Sequence, residues 1–181
     1  MRLSKSITHQ IPWYLKPFFW NQKRKYGQPL EPARAWASNP LLFLATSSVY
    51  GILDRKKSPL APELRSLIGL RVSQLNWCDF CMDLNTANLI KKNTSHQKRQ
   101  DLRNWTTSTA FTNKEKVTLY FAEQMCEGDV SNECFQTLKN HFSEKAIVEL
   151  TAFIAFQIMS CKFNRTLAIN PQGLCDKKIS K

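Results

Sequence analysis

The strongest constraint on what this chain can fold into is the spacing of its apolar residues. That spacing follows the helical period and nowhere settles into strand alternation. From Leu64 the positions Leu67, Ile68, Val72 and Leu75 recur every three or four residues, with Arg71 on the same stripe, which is the period of one helix face. Leu70 lies off that stripe, so this helix is expected to be buried on more than one side. The period returns at Val117, Phe121, Ala122 and Met125, and again at Ile147, Leu150, Ile154, Ile158 and Cys161. The punctuation agrees with it. Asn39-Pro40 places an N-cap before a proline at the first helical position and opens the apolar run Leu41 to Leu53. A further helix is expected from near Pro62, and another from Cys78 to about Lys92. Thr112-Asn113-Lys114-Glu115 is a capping box, and Gly128 is a stop signal. A short helix is expected after Ser131, and a long one from Ser143 that Asn170-Pro171 terminates. Only five glycines occur in the chain, and no strand pattern or repeat interrupts the helices, so the expected class is all-α.

A length of 181 residues suits one domain. Residues 31–170 carry the helical pattern, residues 1–30 form a basic, aromatic extension, and residues 171–181 are expected to be a disordered tail. In the extension Trp13, Tyr14, Phe18, Phe19 and Trp20 stand among Lys16 and Lys23-Arg24-Lys25. Packing on its own domain or on a neighbouring subunit is the favoured reading, and contact with a membrane surface is the alternative. The formal charge is +12, from 26 Lys and Arg against 14 Asp and Glu. No nucleic-acid motif accompanies this excess, so it reads as a solvated basic surface. No apolar stretch of secretory-leader type follows Arg2 and Lys5, and no uninterrupted apolar run is long enough to span a bilayer. The expected setting is a reducing cytoplasm, where a close cysteine pair is catalytic or metal-binding sooner than structural.

That pair is Cys78-Asp79-Phe80-Cys81. Two thiols at this spacing share one face at the start of a helix and are within disulfide reach. Free N–H groups and the positive end of the helix dipole favour a thiolate there. Redox chemistry is therefore the preferred reading. Zinc is set aside because structural sites use a second ligand pair at similar spacing. Cys126 and Cys134 flank a turn at the wrong separation, and His96 and His141 stand alone. Cys126, Cys134 and Cys161 read as buried thiols and Cys175 as a tail thiol. No Gly-rich phosphate loop is present, and neither a cofactor nor a metal is expected.

The stretch from Leu64-Arg65-Ser66-Leu67-Ile68-Gly69 through Leu75-Asn76-Trp77-Cys78-Asp79-Phe80-Cys81-Met82-Asp83-Leu84-Asn85-Thr86 resembles the core of the carboxymuconolactone decarboxylase family, in its alkylhydroperoxidase D-like branch. Phe142-Ser143-Glu144 through Thr151, ending at Asn164-Arg165, is similar to the family's last long helix. The resemblance covers residues 28–168. It implies a single helical-bundle domain that assembles into trimers or hexamers. It also implies a thiol-dependent peroxidase or disulfide reductase with an antioxidant role and an external thiol reductant protein as partner. In that branch the second cysteine meets the peroxide and the first resolves it, which maps onto Cys81 and Cys78. The family's decarboxylases lack this pair, and no suitably placed histidine supports lactone chemistry here.

Two positions depart from the branch. Its relay glutamate corresponds to Ser66, and its relay histidine to Asn85. Neither side chain titrates near neutral pH, although both can hold a water in a hydrogen-bonded chain. Asn85 lies one turn beyond Cys81, placed to bond its thiolate. Glu63, one turn before Ser66, is the expected source of a carboxylate. The expected site is thus Cys81, Cys78, Asn85, Ser66 and Glu63. The alternative is a binding or assembly module that keeps the fold and has lost the relay.

Overall fold

The computed structural model describes residues 1–8 and 10–176, and no β-strand occurs among them. The elements are α1 (Lys5–Thr8), α2 (Lys16–Tyr26) after a 3-10 turn at Trp13–Leu15, α3 (Glu31–Ala37), α4 (Pro40–Leu53), α5 (Pro62–Leu75), α6 (Asp79–Lys91), α7 (His96–Gln100) followed by a 3-10 turn at Asp101–Asn104, α8 (Asn113–Glu127), α9 (Asn132–Lys139) and α10 (Glu144–Thr166). The expected caps form. Asn39 accepts from Leu42 N–H at 3.3 Å. Thr112 and Glu115 close a reciprocal capping box, and Gly128 ends α8 with φ of 122°.

Helices α5, α8 and α10 interlock around Ile68, Val72, Phe121, Leu150 and Ile154, each no more than 2% exposed. The second side of α5 packs Leu67 and Leu70 against Leu89, Leu102 and Leu119. This explains why α5 carries apolar residues off its main stripe. Gly69 leaves room for α6 against α5: a Cβ there would lie 2.5 Å from Asn85 Oδ1. By length and composition α10 is apolar enough to cross a membrane. In this fold its Ile147, Leu150, Ile154 and Cys161 fill the core.

The N-terminal extension docks on its own domain through one face. Leu15 and Phe19 are buried with Phe43 of α4, and the Phe18 ring meets Phe43 edge-on at 4.9 Å between centroids. Trp13 and Trp20 remain exposed. The C-terminal expectations need two corrections. First, α10 stops at Thr166, because Ala168 takes a left-handed conformation, φ 50°, ahead of Asn170-Pro171. Second, residues 171–176, expected to open a disordered tail, fold back onto the domain. Leu174 is 2% exposed within a cluster that includes Phe80 and Ile169. The Asp83 carboxylate accepts N–H bonds from Gln172 and Cys175, both at 2.8 Å. Those donors hold the Asp83 carboxyl below its ordinary range, outweighing burial, which pushes it up. The rest of that expected tail, 177–181, lies outside the described residues.

Candidate functional site

A tight turn between α5 and α6 sets up the cysteine pair. Trp77 takes φ of 54° there and is left exposed, a conformation that is strained for a bulky side chain. Cys78 follows as the N-cap of α6, so its Sγ accepts the Cys81 N–H at 3.3 Å. The two cysteines are joined as a disulfide with Cα atoms 5.2 Å apart. Both are almost wholly buried.

A cavity of about 750 Å³ reaches Cys81 but is not lined by Cys78. Its walls are aromatic, with Tyr26, Trp36, Phe43, Phe80 and Phe156 among them. Lys25, Arg65, Lys91 and Lys92 add cationic groups to the lining. Part of the +12 charge is thereby concentrated on the approach to the thiol. Burial lowers the Lys92 ammonium from its usual range; Asp54 opposes this and the neighbouring Arg65 and Lys25 reinforce it. Arg65, though 4% exposed, is held by Leu53 O at 2.9 Å and by the Asp54 carboxylate at 3.4 Å.

The structure brings Ser66, Asn85 and Cys81 to this cavity and leaves Glu63 outside it. Glu63 projects from the first turn of α5 towards α7, where it accepts from Thr94 Oγ1 at 3.1 Å and faces Lys98 Nζ at 3.8 Å. The expected carboxylate is therefore turned away from the relay. Ser66 Oγ donates to Pro62 O at 3.2 Å and accepts from the Lys92 ammonium. The amide of Asn85 does not bond the sulfur. It reaches back one turn and donates to Cys81 O at 2.9 Å, while its oxygen rests over Gly69.

Two side chains from α10 complete the site, and neither was among the expected site residues. Asn164 Nδ2 donates to Cys81 Sγ at 3.3 Å, and its Oδ1 is buried with no hydrogen-bond partner among the described residues. Cys161 places its sulfur within 4.8 Å of those of Cys78 and Cys81. It accepts from Gln157 Nε2 at 3.5 Å, and its own thiol points to Ser73 Oγ at 3.9 Å. Burial pushes the Cys161 thiol up, against the lowering effect of those two partners. The sequence signal for Asn164 was there to find: it continues the Ile154, Ile158, Cys161 stripe, where a polar residue has to be satisfied inside the core.

With this geometry in hand, the chain can be set beside known proteins. The model of the carboxymuconolactone decarboxylase family matches residues 40–124. The uncharacterized protein YnjA of Escherichia coli (strain K12) is 36% identical over 168 residues, covering 92% of each chain. An uncharacterized peroxidase-related protein from Silicibacter sp. TM1040 superposes with a TM-score of 0.88 at 20% identity, covering 99% of this chain and 95% of that one. The debrominase Bmp8 superposes with a TM-score of 0.80 at 20% identity, covering 97% of this chain and 92% of that one. At that identity the two structures speak for the fold alone.

Proposed function

The chain belongs to the carboxymuconolactone decarboxylase family, and from that premise we propose that it is a thiol-dependent peroxidase of the alkylhydroperoxidase D-like kind, acting in antioxidant defence in a reducing cytoplasm. The observation that carries this reading is the asymmetry of the pair: Cys81 lines the cavity, and Cys78 sits beside it as the cap of α6. In this mechanism the Cys81 thiolate attacks the terminal oxygen of a hydroperoxide. The O–O bond breaks, the alcohol leaves with a proton, and Cys81 becomes a sulfenic acid. The Cys78 thiol then attacks Cys81 Sγ, water leaves, and the disulfide forms. An external dithiol protein reopens it by exchange.

The Asn164 amide N–H supports the thiolate directly. Lys92, Lys25 and Arg65 lend positive potential to the same cavity. The positions that correspond to the branch's relay glutamate and histidine are Ser66 and Asn85, so in this reading thiolate support comes from other groups. An aromatic cavity of this size favours an apolar organic hydroperoxide over hydrogen peroxide. Peroxide consumption by purified protein with a dithiol reductant tests the reading. Cys81→Ser abolishes turnover and leaves no sulfenic acid, whereas Cys78→Ser still forms sulfenic acid on Cys81 and stalls there. Equal sulfenic acid yields from the two variants would refute the assignment.

One observation favours a second reading, a binding or assembly module. Glu63 is turned to Thr94 and Lys98, and Ser66 is held by Lys92 and Pro62, so Glu63 does not join Ser66 as the relay's carboxylate. Under that reading the Cys78→Ser/Cys81→Ser double variant matches the wild type in every assay.

A further inference from the structure

We propose that the dithiol form of this protein holds one thiophilic divalent cation, of the Zn2+ or Cd2+ kind, on the sulfurs of Cys78, Cys81 and Cys161. The sequence offered only one close cysteine pair, and a pair alone is an incomplete metal site. The fold supplies the third sulfur from α10. All three sulfurs lie within 4.8 Å of one another. Tetrahedral zinc–thiolate bonds of about 2.3 Å put sulfurs roughly 3.8 Å apart, a separation that opening the disulfide and small χ1 rotations reach. The three residues are 1%, 3% and 0% exposed, so the protein itself covers the sulfurs on every side but the one that faces the cavity.

The surroundings offer each sulfur a hydrogen-bond donor. Each sulfur accepts an N–H bond: Cys78 from the Cys81 backbone at 3.3 Å, Cys81 from Asn164 Nδ2 at 3.3 Å, and Cys161 from Gln157 Nε2 at 3.5 Å. Donors of this kind orient metal-bound thiolates and share their charge. The independent pointer to a ligand is Asn164 Oδ1, a buried acceptor in a 4% exposed residue that finds no donor among the described residues. It belongs to the same amide that bonds Cys81. A water on the fourth position of the ion would donate to it, as catalytic and exchangeable three-ligand zinc sites keep that position open. Access is through the cavity that reaches Cys81. Soft sulfur donors select Zn2+, Cd2+ or Cu+ over Mg2+ and Ca2+. Two of the three ligands are lost when Cys78 and Cys81 pair, so ion and disulfide exclude each other. The bound ion would mask both cysteines from oxidation.

The experiment is a Cd2+ titration of the full chain, reduced with a phosphine and freed of reductant, read by the ultraviolet sulfur-to-cadmium charge-transfer band, with Zn2+ affinity measured by chelator competition. The wild-type dithiol takes up one ion per chain, and the disulfide form takes up none. Cys161→Ala removes about one third of the band and weakens binding by about 100-fold or more, beyond the loss expected for an outer partner. Gln157→Leu keeps all three sulfurs, so it stays informative if Cys161→Ala folds poorly; it weakens binding by about tenfold. Cys134→Ala, a buried thiol outside the cluster, leaves binding unchanged. The proposal is overturned if Cys161→Ala keeps the wild-type band and affinity, or if the dithiol binds no better than the disulfide. The outcome is separable from the peroxidase reading. A dithiol that binds Cd2+ and ignores peroxide removes only that reading, and one that reduces peroxide while binding Cd2+ equally with and without Cys161 removes only this inference.

Discussion

Gly69→Ala tests the contact that holds the cysteine helix against α5. A Cβ at this position lies 2.5 Å from Asn85 Oδ1, 2.9 Å from its Cγ and 3.1 Å from its Nδ2. Ordinary contact is about 3.4 Å or more for such pairs, so the amide has to retreat by nearly an ångström. It is not free to do so, because Asn85 is buried and its Nδ2 donates to Cys81 O at 2.9 Å. Overpacking of this kind costs about 2 kcal/mol, and losing the amide bond adds about 1 kcal/mol. Replacing a mid-helix glycine by alanine returns about 1 kcal/mol of helix propensity. The net is a destabilisation of about 2 kcal/mol, which for a chain of this size lowers Tm by about 4–8 °C. Thermal and urea unfolding of the disulfide form measure it. Asn85→Ala in the Gly69→Ala background clears the space, so a double-mutant cycle should show coupling of about 1 kcal/mol or more. A Gly69→Ala protein as stable as wild type, or additive single effects, would refute the close-contact argument.

Asn164→Leu removes the amide from Cys81 together with the orphaned oxygen, so stability changes little. The pH profile of Cys81 alkylation in the dithiol form moves up by about one to two units, the value of a hydrogen bond to a charged group, and an unmoved profile would mean that the contact does not stabilise the thiolate. Asp83→Asn weakens the anchor of residues 171–176 and costs about 1–2 kcal/mol at neutral pH. The folded Asp83 carboxyl lies below its usual 3.8, so its contribution is fully present above that value and is lost as pH falls below it through the lower folded pKa. The gap between variant and wild type in urea melts should therefore close at low pH, and a gap that persists there would contradict the assignment. The face of α4 that leaves Leu41, Leu44 and Ile52 exposed is the surface we propose for self-association. Leu44→Glu with Ile52→Glu should shift light-scattering mass towards the monomer, and an unchanged mass would exclude that face.

Most of the helical framework was legible because it is local. Apolar period, Asn39, Thr112, Ser131 and Ser143 caps and the Gly128 stop act within a turn or two of themselves, and the structure places helices where they point. The cysteine pair at the start of α6 was legible for the same reason. What the sequence could not determine depends on contacts between distant segments. Glu63 was one turn from Ser66 and free, on sequence grounds, to join it; the packing of α7 drew it to Thr94 and Lys98 instead. Asn85 had the right spacing to meet the Cys81 sulfur, yet its amide donates to the Cys81 carbonyl one turn back instead. Nothing along the chain near Asp83 marks it as an anchor; residues 171–176, some ninety positions away, supply the N–H groups it accepts. Cys161 read as a buried thiol of the last helix and Asn164 carried no reading of its own; the crossing of α10 over the start of α6 makes them neighbours of Cys78 and Cys81. Helix period and capping are properties of neighbours along the chain, so the sequence alone determined which segments are helical and where the reactive pair lies. Which groups surround that pair is a matter of how helices cross, and that was decided by the packing of the whole core.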